Sequence, residues 1–283
     1  MIPAPFEYRR ARSVDEAIRL LAENDDARLL AGGHSLLPMM KLRLAAPSLL
    51  IDIGGLDELR FVRRDGDAVV VGALTRHAEV AAAAELTGPF GALAEAAAAI
   101  GDVQVRNCGT IGGSLAHADP AADYAAAVLA LDAEITARGP DGERTIAAAD
   151  FFAGLLTTSL RPGELLTEIR FPAAAGVSVY EKFAQPASGF AIAGVAARLE
   201  LDGAKKCAGV AVAATGISDR PLRLTAVEAA LAGKKADAEA IAAAAARADD
   251  GIDDVREDLY AQQDYRRHLL RAMTRRALTR AAS

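Results

Sequence analysis

Two glycine-rich loops constrain this chain more than any other feature. The first, 31-AGGHSLLPMMKLR-43, lies between an apolar run ending at Leu30 and a segment with helical spacing. The second, 106-RNCGTIGGSLAHADPAADY-124, also feeds a helix. Glycine tolerates positive φ and lets backbones approach closely. Successive N–H groups where such a loop enters a helix form a nest for an anion. Ser35, Thr110 and Ser114 add hydroxyl donors without bulk. Neither loop has the G-x-G-x-x-G spacing of a Rossmann turn, and no G-x-x-x-x-G-K-[ST] stretch occurs, which excludes a P-loop. A glycine pair beside a serine is, on its own, first of all a turn. Two such loops in separate modules can clamp the two phosphates of a dinucleotide between domains, a favoured setting for ligand sites.

The pattern around the loops predicts three modules in tandem, at 1–55, 56–175 and 176–283. The first reads as a β-α-β-β unit. A strand near residues 6–8 precedes a helix with Ser13 as N-cap and Glu16 three residues on, the capping-box spacing. Strands at 27–31 and 49–53 flank the first loop and a helical turn over 36–43. In the second module, Asp65-Gly66-Asp67 between alternating residues marks a hairpin. Helices are predicted at 76–84, 90–100 and 123–131, a second hairpin turns at 139-GPDGE, and a strand covers 165–171. The third module opens with long alternating strands broken at Asp202-Gly203, an antiparallel sheet, and closes with helices at 226–232, 236–248 and 256–281. The fold class is therefore α+β.

At 283 residues the chain is long enough for more than one domain of about 100–200 residues. A net charge of −6 argues against nucleic acid as a partner, because phosphate backbones attract a positive surface. The opening MIPAPFEYRRARS has no apolar signal core, and no apolar run reaches the roughly 18 residues a membrane span requires. A cytoplasmic protein is expected, with attachment to the inner face of a membrane only through a larger complex. Two cysteines, Cys108 and Cys207, cannot build a four-cysteine iron–sulfur site, so the chain carries no cluster of its own.

No metal site or nucleophile emerges. His34, His77, His117 and His268 show no H-x-x-x-H pattern, and His34 reads as a loop-shaping or ligand-contacting residue rather than a catalyst. Asp119 and Asp123 look like helix N-terminal capping residues, with a second role open to Asp123 in binding a ribose or base. Lys41, Arg43 and the arginines of 266-RRHLLRAMTRRALTR-280 read as solvated faces of helices.

The two loops together resemble the flavin-binding motifs of the FAD-binding medium subunits of molybdenum hydroxylases, the carbon monoxide dehydrogenase and xanthine dehydrogenase family. The likeness runs through PAPFEYRRARSVDEAI, LIDI, GELLTEIRFP, YEKFAQPASGFAIAGVAA and YRRHLLRAMTRRAL, essentially the whole chain. It implies a two-module FAD-binding fold of the vanillyl-alcohol-oxidase (PCMH-like) type, with a C-terminal sheet-and-helix domain covering the isoalloxazine. By resemblance, Ala31, Gly32, Gly33, His34 and Ser35 hold the pyrophosphate, flanked by Leu30 and Leu36. Thr110, Ile111, Gly112, Gly113 and Ser114 form the second wall of the phosphate site. Asp123 falls where the family has an acidic ligand of the cofactor, and Leu166 and Lys182 match positions lining the flavin, the lysine near the ring's polar edge.

The resemblance further implies non-covalent FAD, with no covalent link through His34. It implies a molybdenum cofactor in a large partner subunit and [2Fe–2S] clusters in a small one, in a dimer of heterotrimers. Electrons would pass from the clusters through FAD to an external quinone, NAD or oxygen, most as in the aerobic carbon monoxide dehydrogenase. Two readings compete: a stand-alone flavin oxidoreductase of the same fold, which would need its own acid or base in the third module, and a scaffold with a vestigial flavin site. Around Cys207, 205-KKCAGVAVAATG offers no such group.

Overall fold

A computed structural model describes residues 1–283. In the first module, β1 (Glu7–Arg10), α1 (Val14–Ala22), β2 (Ala27–Leu30), α2 (Leu36–Lys41) and β3 (Leu49–Asp52) alternate. The three strands form a wholly parallel sheet in the order β1-β3-β2, because each successive pair is joined by a helical crossover. Ser13 caps α1 by accepting from the Glu16 N–H (3.1 Å), while the Glu16 carboxylate reaches back to the Arg12 N–H, one residue earlier than a regular capping box. The apolar stripe of α1, with Val14, Ala17, Ile18 and Leu20, is buried against Leu49 and Ile51 in a core of its own.

The second module contains β4 (Val62–Asp65), β5 (Ala68–Gly72), α3 (His77–Ala82), α4 (Gly91–Ala98), α5 (Val103–Cys108), α6 (Ile111–His117) and α7 (Asp123–Ala130). It continues with β6 (Glu134–Gly139), β7 (Gly142–Ala147), α8 (Ala148–Phe151), β8 (Phe152–Gly154), β9 (Thr157–Thr158) and β10 (Leu165–Phe171). Its five-stranded antiparallel sheet runs β4-β5-β10-β6-β7. The short α5 is an addition to the elements predicted from sequence, because it runs into a glycine-rich stretch; Asp102 nucleates it by accepting from the Val105 N–H (2.9 Å).

The third module is a four-stranded antiparallel sheet of β11 (Val177–Ala184), β12 (Ala191–Leu201), β13 (Cys207–Thr215) and β14 (Leu222–Arg223). Helices α9 (Thr225–Leu231), α10 (Ala238–Ala245) and α11 (Gln263–Ala281) cover one face. The last helix begins at Gln263 rather than at 256. Asp258 accepts the Tyr260 and Ala261 N–H groups and binds the buried Arg266 guanidinium, which holds the approach in a turn. No helix is long and apolar enough to cross a membrane.

The alanines have a packing purpose. All eight residues of α7, DYAAAVLA, are buried, and the helix belongs to the core of the second module together with Ala196 and Ala213 of the third sheet. Alternate residues of β12, Val195 and Ala197, face α11 instead. A strand buried on both faces loses the polar alternation of a half-exposed one, and small side chains let the central helix lie close. The second and third modules thus share a core, and the loop between α6 and α7 is fastened to it. Thr215 Oγ1 donates to the carbonyls of Pro120 (2.8 Å) and Ala122 (2.9 Å), and the Gly216 N–H donates to Pro120.

Candidate functional site

The first loop leaves β2 and enters α2 with its donors unpaired. Gly33 takes a φ of 70°, the left-handed region that favours glycine. His34 Nδ1 lies 2.8 Å from the Gly32 carbonyl and ties the loop back on itself. The backbone N–H groups of residues 32–36 make no hydrogen bond within the protein. Five successive amides without a protein partner, on half-buried and exposed residues that line a cavity, are the kind of nest that takes an anion.

The second loop is built the opposite way. Its N–H groups are engaged: Ile111 donates to the Thr75 carbonyl (3.0 Å), Gly112 to Ala73 (2.9 Å), Ser114 to Thr110 (3.0 Å) and Gly113 to the capping Thr110 Oγ1 (3.2 Å). It supplies a close-fitting wall rather than a set of donors. The loops touch backbone to backbone. A Cβ on Gly32 would stand 2.2 Å from the Cys108 carbonyl oxygen, and one on Gly112 would stand 2.6 Å from Ala73 Cβ.

Between the loops opens a cavity of about 1130 Å³. It exceeds the roughly 300–1,000 Å³ usual for drug-sized ligands and suits a longer molecule. Of the residues singled out in the sequence, Ala31, Gly32, Gly33, His34, Ser35, Leu36, Thr110, Gly112, Gly113, Ser114, Asp123 and Leu166 line it. Three do not. Ile111 is wholly buried in the core of the second module, Leu30 lies beneath Gly33, and Lys182 stands behind Asp123. Lys41 and Arg43 are exposed and away from the wall.

Asp123 is the most elaborately held of these side chains. It begins α7 and is 4% exposed, and it does not cap the helix. Tyr180 donates its phenol to Oδ1 (2.7 Å), and Lys182 Nζ lies 2.9 Å from Oδ2. Burial raises the carboxyl above the usual range, and the Lys182 ammonium opposes that rise. Lys182 donates also to the Ala99 carbonyl (2.9 Å), so its charge is committed to protein groups and reaches the cavity only through Asp123. Asp119 accepts the Ala121 N–H (2.8 Å) and closes the turn before α7.

Several wall residues lie outside the sequence-predicted set. His77, the first residue of α3, is buried beside Tyr124 with Nδ1 3.1 Å from the phenol oxygen. Burial lowers its pKa to about 4, helped by the nearby His34 and Arg106, so the ring is neutral at pH 7. His117 and, from the third module, Ser188, Gly189 and Phe190 complete the wall. Nothing local marks these positions in the sequence: they reach the cavity through the packing of one module on another. No cluster of three metal-ligating side chains forms.

Comparison with known proteins places the chain in a family. Residues 4–174 match the family model of the FAD binding domain in molybdopterin dehydrogenase, and residues 178–281 that of the CO dehydrogenase flavoprotein C-terminal domain. The chain is 42% identical to the carbon monoxide dehydrogenase medium chain of Hydrogenophaga pseudoflava over 99% of its length and 98% of that chain. It is 37% identical to the glyceraldehyde dehydrogenase medium chain of Sulfolobus acidocaldarius over the full length of both. A solved carbon monoxide dehydrogenase of Hydrogenophaga pseudoflava superposes with a TM-score of 0.94 at 43% identity, over 99% of this chain and 98% of that one. With both family models matched and full-length relatives well above 30% identity, the chain belongs to the FAD-binding medium-chain family of the molybdenum hydroxylases.

Proposed function

We propose that the cavity between the two loops seats FAD non-covalently, and that the chain is the electron-transfer subunit of a molybdenum hydroxylase. The observation that carries the reading is the run of free amides at 32–36 opening on a cavity of dinucleotide size. The residues present fit the group: an uncharged nest for the diphosphate, small residues where the two loops meet, and a polar anchor at Asp123.

FAD held there would supply the electron transfer between iron–sulfur clusters and an external acceptor, chemistry that belongs to the cofactor. The protein binds, orients and shields. The amides of 32–36 donate hydrogen bonds to the diphosphate, and Ser35 and Ser114 add hydroxyls. Asp123, fixed by Tyr180 and Lys182, presents a rigid acceptor to the cofactor; Lys182 acts through it. His77, held neutral, adds no cation to the cavity. Phe190 excludes water at the end covered by the third module. In this division, modules 1–55 and 56–175 hold the cofactor and 176–283 covers its ring.

Partners follow from the family. The relatives above are medium chains of multi-subunit enzymes, which disfavours a stand-alone oxidoreductase. We assign a small iron–sulfur subunit and a large molybdenum subunit, arranged as a dimer of heterotrimers. The acceptor is a quinone, a nicotinamide or dioxygen, and the complex lies in the cytoplasm or against the inner face of its membrane. The relatives act on substrates as unlike as carbon monoxide and glyceraldehyde, so substrate choice rests with the large subunit.

Ser35→Asp tests the site. The Ser35 side chain makes no capping hydrogen bond to α2, so the helix should persist, while a fixed negative charge enters the nest. Flavin content after purification should fall to a few per cent of wild type with unchanged circular dichroism. Full flavin occupancy in the variant would refute the assignment. Acid precipitation of the wild type should leave all flavin in the supernatant.

A further inference from the structure

The third sheet begins at β11, an edge strand, and an edge leaves a row of backbone N–H and C=O groups without a ladder partner. At Tyr180 two side chains take the place of the missing strand. The Tyr180 N–H donates to Glu95 Oε2 on α4 (2.7 Å), and Arg280 Nη1, on the last turn of α11, donates to the Tyr180 carbonyl (3.1 Å). Arg280 Nη2 closes the ring on the other Glu95 oxygen (2.7 Å), and Nη1 also reaches Glu181 Oε1 (2.7 Å). An exposed ion pair by itself contributes little. This one carries charge-assisted hydrogen bonds to both polar groups of a single backbone residue, and so fixes it in two directions. Sequence spacing reads Arg280 as part of a solvated helix face; its guanidinium is instead committed to acceptors on α4 and β11.

The residue held in this way is the one that holds Asp123. The Tyr180 phenol donates to Asp123 Oδ1 (2.7 Å) and has little room to move, since a Cβ on Gly194 of the neighbouring strand would stand 2.2 Å from the phenol oxygen. Lys182, two residues along the same strand, is anchored on the Ala99 carbonyl, four residues along from Glu95. Two strand residues span roughly 6.6 Å and four helix residues roughly 6 Å, so α4 and β11 match at both points. Neither Glu95 nor Arg280 lines the cavity; their route to it is Tyr180. We propose that Arg280, together with Glu95, is a positioning residue: by clamping the backbone of Tyr180 it sets the phenol that fixes Asp123, and so couples the C-terminal helix to retention of the cofactor. This rests on the assignment of the cavity to FAD.

The test uses the complex loaded with FAD, as wild type, Arg280→Ala, Arg280→Lys, Tyr180→Phe, and Arg280→Ala combined with Tyr180→Phe. Flavin release after dilution is followed by fluorescence, with thermal unfolding of each protein alongside. Tyr180→Phe, which removes a hydrogen bond to a carboxylate, should release flavin about tenfold faster, and Arg280→Ala about threefold faster. In the combined variant the Arg280 substitution should add nothing, because the phenol it positions is gone. Arg280→Lys, which keeps a cation beside Glu95, should release flavin at a rate between those of wild type and Arg280→Ala. Unchanged release in Arg280→Ala overturns the proposal, and so does failure of the lysine to restore any of the loss. A further increase of about threefold in the combined variant also overturns it, since additivity is the mark of a purely structural role, whatever the unfolding temperature. A wild-type complex that carries no flavin would instead overturn the assignment of the cavity, which keeps the two failures apart.

Discussion

The two glycine loops look alike in sequence and do opposite work. In the first, five successive amides find no partner in the protein; in the second, every amide from 111 to 114 is engaged by the fold. One loop is a set of donors waiting for a partner, and the other is a finished wall. Their histidines differ in the same way. His34 is exposed and bonded to its own loop, whereas His77, behind the second loop, is buried and neutral. A glycine motif thus signals close approach, and only the hydrogen-bond partners decide whether the approach is to a ligand or to another strand of backbone.

The contact between the loops should be the most sensitive point. A valine at Gly32 would drive Cβ to 2.2 Å from the Cys108 carbonyl, which cannot move without its helix. Gly32→Val should lower stability by about 3 kcal/mol or more, the upper end for overpacking, and yield flavin-free protein. Gly203→Ala is the control. A Cβ there finds nothing within 4 Å, and Gly203 lies away from the cavity, so stability and flavin should change little. If Gly32→Val retains flavin and its unfolding temperature, the two loops are not braced against each other.

The buried histidine gives a pH-dependent contrast. An unfolded chain protonates His77 near pH 6.5, but in the folded protein burial holds this back to about pH 4. The unfolded state therefore binds the extra proton between those values. Stability is fully present above pH 6.5 and is lost as pH falls towards 4, by on the order of 3 kcal/mol. His77→Gln should flatten that limb in urea titrations from pH 7 to pH 4, while His34→Ala, which removes a lesser cause of the shift than burial, should leave most of it standing. An equally steep acid limb in His77→Gln would show that other groups produce it.

How far the chain's sequence reveals all this depends on how local each signal is. Strand β10 is predicted with its observed bounds, because 165-LLTEIRF alternates cleanly between turns. The parallel first sheet is legible as strands but not as pairings, since pairing depends on which crossover packs where. The Tyr180–Asp123–Lys182 group joins residues about sixty positions apart, and no spacing in the sequence marks the pairing of Lys182 with Asp123. His77 and Phe190 enter the wall only when the modules pack, and no spacing marks them. The difference between free and engaged amides is equally hidden, because it is a property of neighbours such as Ala73 and Thr75.

The smallest expected effect is the most discriminating, and it concerns His34. Its ring Nδ1 lies 2.8 Å from the Gly32 carbonyl oxygen, a contact that ties the loop back on itself. If His34 only shapes the loop, His34→Ala removes one hydrogen bond at a partly solvated site, about 1 kcal/mol. That corresponds to roughly fivefold faster flavin loss with intact folding. If the ring instead bore a covalent flavin, the substitution would change the state of the cofactor, not its rate of release: the wild type would keep flavin through denaturation and the variant would not. A fivefold change in off-rate, with wild-type flavin already free after acid, is the outcome expected of a histidine that organises donors. Complete loss of flavin in His34→Ala would mean that the free amides of the first loop are not preformed, and that the contrast between the two loops is made by one side chain.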